Sequence, residues 1–128
     1  MLDETAKSLA KGKNFAAFTT LLPGGQPMTH IMWVDADDEY VLINTEVHRR
    51  KFLNVEADPR VTVTVIDSTN SYHYAELRGR VVGMVKGPEA RAHIDFLSQK
   101  YNGQLYPAEN IVSERVILQI APERQRVN

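Results

Sequence analysis

Apolar residues along this chain change their period several times, and each change marks an element. Leu2, Ala6, Leu9 and Ala10 fall at helical spacing, so a short helix is expected from Leu2 to Lys11, ended by Gly12. Phe15 to Leu21 reads as a strand. Pro23-Gly24-Gly25 follows as a turn, because glycine supplies the positive φ angles that hairpin loops require. A second strand is expected over Gln26 to Val34, a turn at the acidic Asp35-Ala36-Asp37-Asp38, and a third strand over Tyr40 to Asn44. Taken in order, these three strands predict an antiparallel meander. Val47 to Ala57 is helical in pattern and stops at Asp58-Pro59, since proline disfavours the helical state of the residue before it. Val61, Val63 and Val65 alternate with Thr62 and Thr64, which predicts a strand over Arg60 to Asp67 with one buried face.

Beyond the turn at Ser68-Thr69-Asn70-Ser71, a long strand is expected from about Tyr72 to Lys86. Gly79 and Gly83 within it predict sharp bending, as a sheet closing on itself needs. Gly87-Pro88 opens a helix whose apolar stripe is Ala90, Ile94, Leu97 and Tyr101, and Asn102-Gly103 ends it. A last strand over Glu114 to Ile120 buries Val116, Leu118 and Ile120. About six mainly antiparallel strands with two or three flanking helices predict an α+β fold whose sheet forms a closed or half-closed barrel. No repeat, linker or composition break divides the chain, so residues 1–128 are read as a single domain. A small barrel fills its interior with side chains. A sizeable ligand is therefore expected on an outer face, in a groove shared with a second subunit.

Composition narrows the function classes. At 43% hydrophobic and 24% charged residues, the chain is globular rather than disordered. A net charge of -1 argues against a general nucleic-acid binder, so any anion site must be local. With no cysteine there is no thiolate nucleophile, iron–sulfur cluster or cysteine-bound zinc. The N-terminal stretch is charged and lacks an apolar signal core, and no apolar run approaches the ~20 residues that span a bilayer. A cytoplasmic protein with no membrane partner is expected.

One stretch breaks a local rule. Thr45 is a suitable N-cap for the helix that follows it, and the start of a helix carries partial positive charge. Acidic residues belong there, yet Arg49, Arg50 and Lys51 crowd the region. Each such cation costs about 0.3–1 kcal/mol, and a local penalty without structural gain points to function. Helix-start amides with two or three cations make a cradle for phosphate. The plainer reading is that these cations fan into water or pair with Glu46 and Asp58.

Several ordered segments bear on that choice: Phe18-Thr19-Thr20 with Pro23-Gly24-Gly25-Gln26-Pro27; Met32-Trp33; Asn44-Thr45 followed by Arg50-Lys51 and Asn54; Asp58-Pro59-Arg60-Val61; and Tyr72 through Gly79. In these the chain resembles the pyridoxamine-phosphate-oxidase-like split β-barrel proteins, within them the B-type flavin- and deazaflavin-dependent oxidoreductases that use coenzyme F420. The resemblance implies a homodimer with two cofactors at the subunit interface. It implies that Thr45, Arg49, Arg50 and Lys51 hold the cofactor's phosphate and that Asn44 also binds the cofactor, with F420 the first choice and FMN the alternative. It places Met28, Thr29, His30 and Met32 beside the tricyclic ring, and Tyr72 and Tyr74 near the other subunit's cofactor. His30 and Ile31 depart from the smaller or prolyl residues of the family, which bears on substrate choice.

A reduced flavin or deazaflavin carries the hydride itself, so no dedicated acid–base residue is required, although His30 is a candidate proton donor. His30, His48, His73 and His93 fall at no metal-ligand spacing, and no metal is expected. Ser98 and Ser113 show no basic partner in the sequence, and no GxSxG turn exists. Trp33 is read as core or subunit contact. The function expected is transfer of a hydride to a small unsaturated or aromatic acceptor. A carrier of the cofactor, or of a planar tetrapyrrole-like ligand, is the competing class.

Overall fold

The computed structural model describes residues 1–128. Helix α1 (Glu4–Lys11) is capped by Asp3, whose carboxylate accepts the amides of Thr5 and Ala6. Strands β1 (Phe15–Leu21) and β2 (Pro27–Met32) form the expected hairpin, with Gly24 and Gly25 at φ 91° and 96° in its turn. Then come β3 (Asp35–Ala36), β4 (Val41–Glu46), α2 (Arg50–Ala57), β5 (Arg60–Ile66) and β6 (Tyr74–Lys86). Helix α3 (Pro88–Asn102), a 3-10 turn at Ala108–Asn110 and β7 (Arg115–Val127) complete the chain.

All seven strands join one antiparallel sheet in the order β2-β1-β5-β6-β7-β4-β3, an α+β split barrel with three helices. Asp35-Ala36, expected as turn, pairs with Val41 and Leu42 and supplies the strand beyond the six anticipated. The expected meander does not form. β4 pairs with β7 and β3 at the far end of the sheet from β2. Burial explains the difference. β4 is buried along almost its whole length, whereas β2 is largely exposed, so β4 requires neighbours on both edges and β2 is suited to an edge. The inner edge of β1 is taken instead by the valine-rich β5.

β7 runs past the expected end at Ile120 to Val127, because it pairs along β6 as well as β4. Register shifts between Arg78 and Gly79 and between Val81 and Gly83 bend β6 where its glycines lie. A Cβ at Gly79 would sit 2.0 Å from the Ala121 carbonyl oxygen, backbone that cannot rotate away. Gly79→Ala is therefore expected to lower stability by about 1–3 kcal/mol, the usual cost of overpacking, read as a fall in the urea midpoint.

The barrel interior is one apolar cluster that includes Phe18, Ile43, Val63, Leu77 and Leu118, closed by α1 through Leu9 and by α2 through Phe52. A smaller cluster of Ile94, Leu97 and Tyr101 on α3 packs against Trp33 and Tyr106. The interior is filled with side chains. A ligand must use the seam where the sheet fails to close.

Candidate functional site

The two ends of the strand order meet across that seam. A cleft of about 370 Å³ opens between them, lined by His30, Ile31, Met32 and Trp33 from β2 and its exit, and by Asn44 and Thr45 from β4. Arg49 and Lys51 form one end, and Arg115 and Tyr106 close it from the C-terminal side. β2 pairs only with β1, so its other edge leaves backbone donors and acceptors unpaired beside the cleft.

The helix beside the cleft starts later than the sequence suggests. Thr45 is not its N-cap; it is a buried β4 residue paired with Val116. The cap position belongs to Arg49, whose side chain makes no capping bond, and the first turn contains no acidic residue. Arg50 and Lys51 thus occupy the first two helical positions. The dipole penalty falls on them more directly than a cap at Thr45 would imply.

Lys51 is only 6% exposed and makes no hydrogen bond or ion pair within the protein. Burial pushes its ammonium below the ordinary lysine value, and the charges of Arg49 and Arg115 push it further. Arg115 is 8% exposed. Its Nε donates to Asn44 Oδ1 at 2.9 Å, its Nη1 lies 3.2 Å from Glu46 Oε2, and its guanidinium covers the Tyr106 ring at 5.4 Å. Glu46 is fully buried, and its Oε1 accepts the amides of Val112 and Ser113, each at 2.7 Å. Burial alone would raise this carboxyl; the two amides and Arg115 together hold it below the ordinary glutamate value. Arg49 reaches the same carboxylate at 3.6 Å. Three cations therefore face the cleft against one carboxylate, and Lys51 has no share in that carboxylate. The unmatched charge calls for an anion.

Arg50 lies outside the lining. Its Nε donates to Asn54 Oδ1 at 2.9 Å, and Asn54 in turn holds Thr20 at 3.0 Å. Met28 and Thr29 are further along β2, with Thr29 bonded to Thr19 at 2.8 Å. Tyr72, 82% exposed, sits in the turn before β6, and Tyr74 pairs with Ile66; neither reaches this cleft within one chain. Glu46 was foreseen only as a partner for surface cations. Arg115 and Tyr106 gave no local signal beyond a charge opening an apolar strand.

Ser113 does have a basic partner, contrary to expectation: its Oγ is 2.5 Å from His48 Nδ1. His48 is exposed and Ser113 half-buried, and no third group holds the other imidazole nitrogen, so the pair lacks the oriented base of a nucleophilic site. What it does is tie the segment before β7 to the loop before α2, beside the amides that hold Glu46. Trp33 is stacked on Tyr101 at 5.1 Å and meets Tyr106 edge-on at 6.3 Å, so its ring faces are partly used by packing.

Residues 2–128 match the family model described as pyridoxamine 5'-phosphate oxidase. The chain belongs to the pyridoxamine 5'-phosphate oxidase family. Among solved structures, an F420 reductase is 31% identical, with 98% of each chain covered and a TM-score of 0.84. A conserved hypothetical protein from Mycobacterium tuberculosis is 22% identical over 99% of this chain and 84% of its own, with a TM-score of 0.74. A pyridoxamine 5'-phosphate oxidase, so described provisionally, from Listeria innocua is 20% identical over 93% and 90%, with a TM-score of 0.67. No curated protein matches by sequence. Membership of the pyridoxamine 5'-phosphate oxidase family, with the likeness to an F420 reductase, supports a flavin-type cofactor and an oxidoreductase role. No helix is long and apolar enough to cross a membrane.

Proposed function

We propose that the cleft holds the phosphate end of coenzyme F420, with FMN the alternative, and that the protein reduces a small unsaturated or aromatic acceptor. The observation that carries this reading is Lys51: a buried cation without a partner, at a helix start, facing a cleft of ligand size. Lys51, Arg49 and Arg115 would grip the phosphate, with Asn44 and Thr45 beside them. The free edge of β2 from Met28 to Met32 would lie along the ring. The bound cofactor supplies the hydride. The chain's own residues orient the ring, exclude water and neutralise the phosphate. His30, exposed in the cleft lining, is the candidate to give the acceptor its proton.

The cleft is open, and exposed Ile31 lines it. A homodimer would cover that side and bring Tyr72 and Tyr74 to the other subunit's cofactor. The likeness to an F420 reductase over 98% of both chains favours F420 over FMN.

Parallel titrations with F420 and FMN, followed by Trp33 fluorescence, test the reading, since Trp33 lines the cleft and is the only tryptophan. Quenching that saturates with F420 is expected, followed by oxidation of F420H2 in the presence of an acceptor panel. Absence of binding by either cofactor would end the proposal; binding without turnover would favour a carrier. Arg50→Ala is expected to change affinity by less than about threefold, because its guanidinium is bound to Asn54 and lies outside the cleft lining, where solvent and salt screen its charge.

A further inference from the structure

Behind the cation cluster runs a chain of buried polar groups whose directions are all determined. Arg115 Nε carries one hydrogen and can only donate, so the Asn44 atom facing it at 2.9 Å is the carbonyl oxygen. The Asn44 amide nitrogen then points the other way, donating to the Ala90 carbonyl at 3.0 Å and meeting His93 Nδ1 at 3.1 Å. His93 Nδ1 must therefore be bare. Its proton sits on Nε2 and is donated to Asp35 Oδ2 at 3.0 Å. Burial alone would raise the Asp35 carboxyl; His93, the Ala36 amide and the Lys100 charge together hold it below the usual aspartate range, so it accepts as a carboxylate. Every N–H in the series donates in one sense, from Arg115 through Asn44 and His93 to Asp35. Bonds aligned in this way polarise one another.

The consequence reaches the cleft. Two of the three guanidinium nitrogens of Arg115 are tied, Nε by Asn44 and Nη1 by Glu46, while Nη2 makes no hydrogen bond within the protein. Asn44 can hold Nε only while its amide is turned toward His93, and His93 accepts that amide only as the Nε2–H tautomer. Neither His93 nor Asp35 lines the cleft. We propose that His93 and Asn44 are positioning residues that aim the free edge of the Arg115 guanidinium at a ligand phosphate, with Asp35 fixing the imidazole tautomer. The inference rests on the reading of the cleft as a phosphate-bearing cofactor site.

The test compares ligands with and without the phosphate: FMN against riboflavin, and F420 against its phosphate-free deazariboflavin core. His93→Phe keeps ring volume and removes both nitrogens. It is expected to weaken the phosphate-bearing ligand roughly tenfold, about the weight of one hydrogen bond to a charged group, while the phosphate-free ligand changes less than about twofold. His93→Gln can accept from Asn44 and donate to Asp35 within one side chain, and is expected to restore the difference. Equal weakening of both ligands, or of neither, would overturn the assignment. In the unmutated protein, imidazole ¹⁵N shifts are expected to show the Nε2–H tautomer, and an Nδ1–H tautomer would overturn it whether or not any variant folds. If the unmutated protein binds neither phosphate ligand, the cofactor reading itself falls; if it binds and His93→Phe shows no phosphate-specific loss, only the positioning role falls.

Discussion

Lys51→Met is expected to weaken binding of the phosphate-bearing cofactor by about 1.5–3 kcal/mol, roughly ten- to 150-fold, while making the ligand-free protein more stable. The two effects have one cause. Methionine keeps the length and apolar volume of the lysine stem but removes a charge that is 6% exposed, has no partner and sits in the first turn of α2. Relief from the helix dipole alone is worth about 0.3–1 kcal/mol, and relief from burial adds to it. A residue that served only packing would not show opposite signs in the two measurements. Calorimetry with F420 or FMN reads the first and urea unfolding of the ligand-free protein the second. Weaker binding with reduced stability would mark Lys51 as structural, and unchanged binding would remove the phosphate assignment.

The same residue sets a pH signature. The folded-state pKa of Lys51 lies below its ordinary value of 10.5, so the unfolded chain binds more protons in the interval between them. Stability of the ligand-free protein should therefore rise with pH as the folded ammonium deprotonates, reaching its full gain above 10.5. Lys51→Met should show a smaller rise, because burial holds Lys100 near 8 in both proteins and its contribution cancels in the difference. A bound anion favours the ammonium. Cofactor affinity is accordingly expected to fall as pH climbs through the folded value, only while Lys51 is present.

The local signals in the sequence were good for elements and poor for pairings. The alternation of Val61, Val63 and Val65 and the stripe of Ala90, Ile94, Leu97 and Tyr101 specify their elements without help, and both are buried as expected. The placement of β4 is not legible, because chain order alone would set it beside β2. What decides it is that Val41, Ile43, Asn44, Thr45 and Glu46 are all buried, which only a strand with covered faces and two partners satisfies. The cation cluster at residues 49–51 stood out because it violates a rule within one turn of helix. Arg115 and His93 did not, since their significance depends on Asn44, which is 71 residues from Arg115 and 49 from His93 in the chain. Short-range conflict is visible in a sequence; long-range satisfaction is not.

Glu46→Gln is expected to cost about 3–5 kcal/mol of stability, the loss that follows when one member of a buried ion pair is removed. Glutamine fits the space and its Oε1 can still accept the amides of Val112 and Ser113. Its amide hydrogens, however, would face Arg115 Nη1 and Arg49 Nη2, donors against donors, where a carboxylate oxygen now stands 3.2 and 3.6 Å away. The urea midpoint should drop with little change in slope, because the exposed area on unfolding is the same. The acid limb separates this from a packing defect. The folded pKa of Glu46 is below its ordinary 4.5, so its contribution is fully present above that value and lost as pH falls through the folded one. Asp58 and Asp67, both held near 2, titrate alike in both proteins and cancel in the difference. The difference between wild type and variant should therefore shrink in acid. Replacing the pair together, Glu46→Gln with Arg115→Met, removes both charges, keeps an acceptor for the Val112 and Ser113 amides and should recover part of the stability. The same double variant should bind phosphate-bearing ligand more weakly than wild type, since it removes a cation from the cleft. Recovery of stability without recovery of binding would mean that this buried pair is kept for its ligand rather than for the fold.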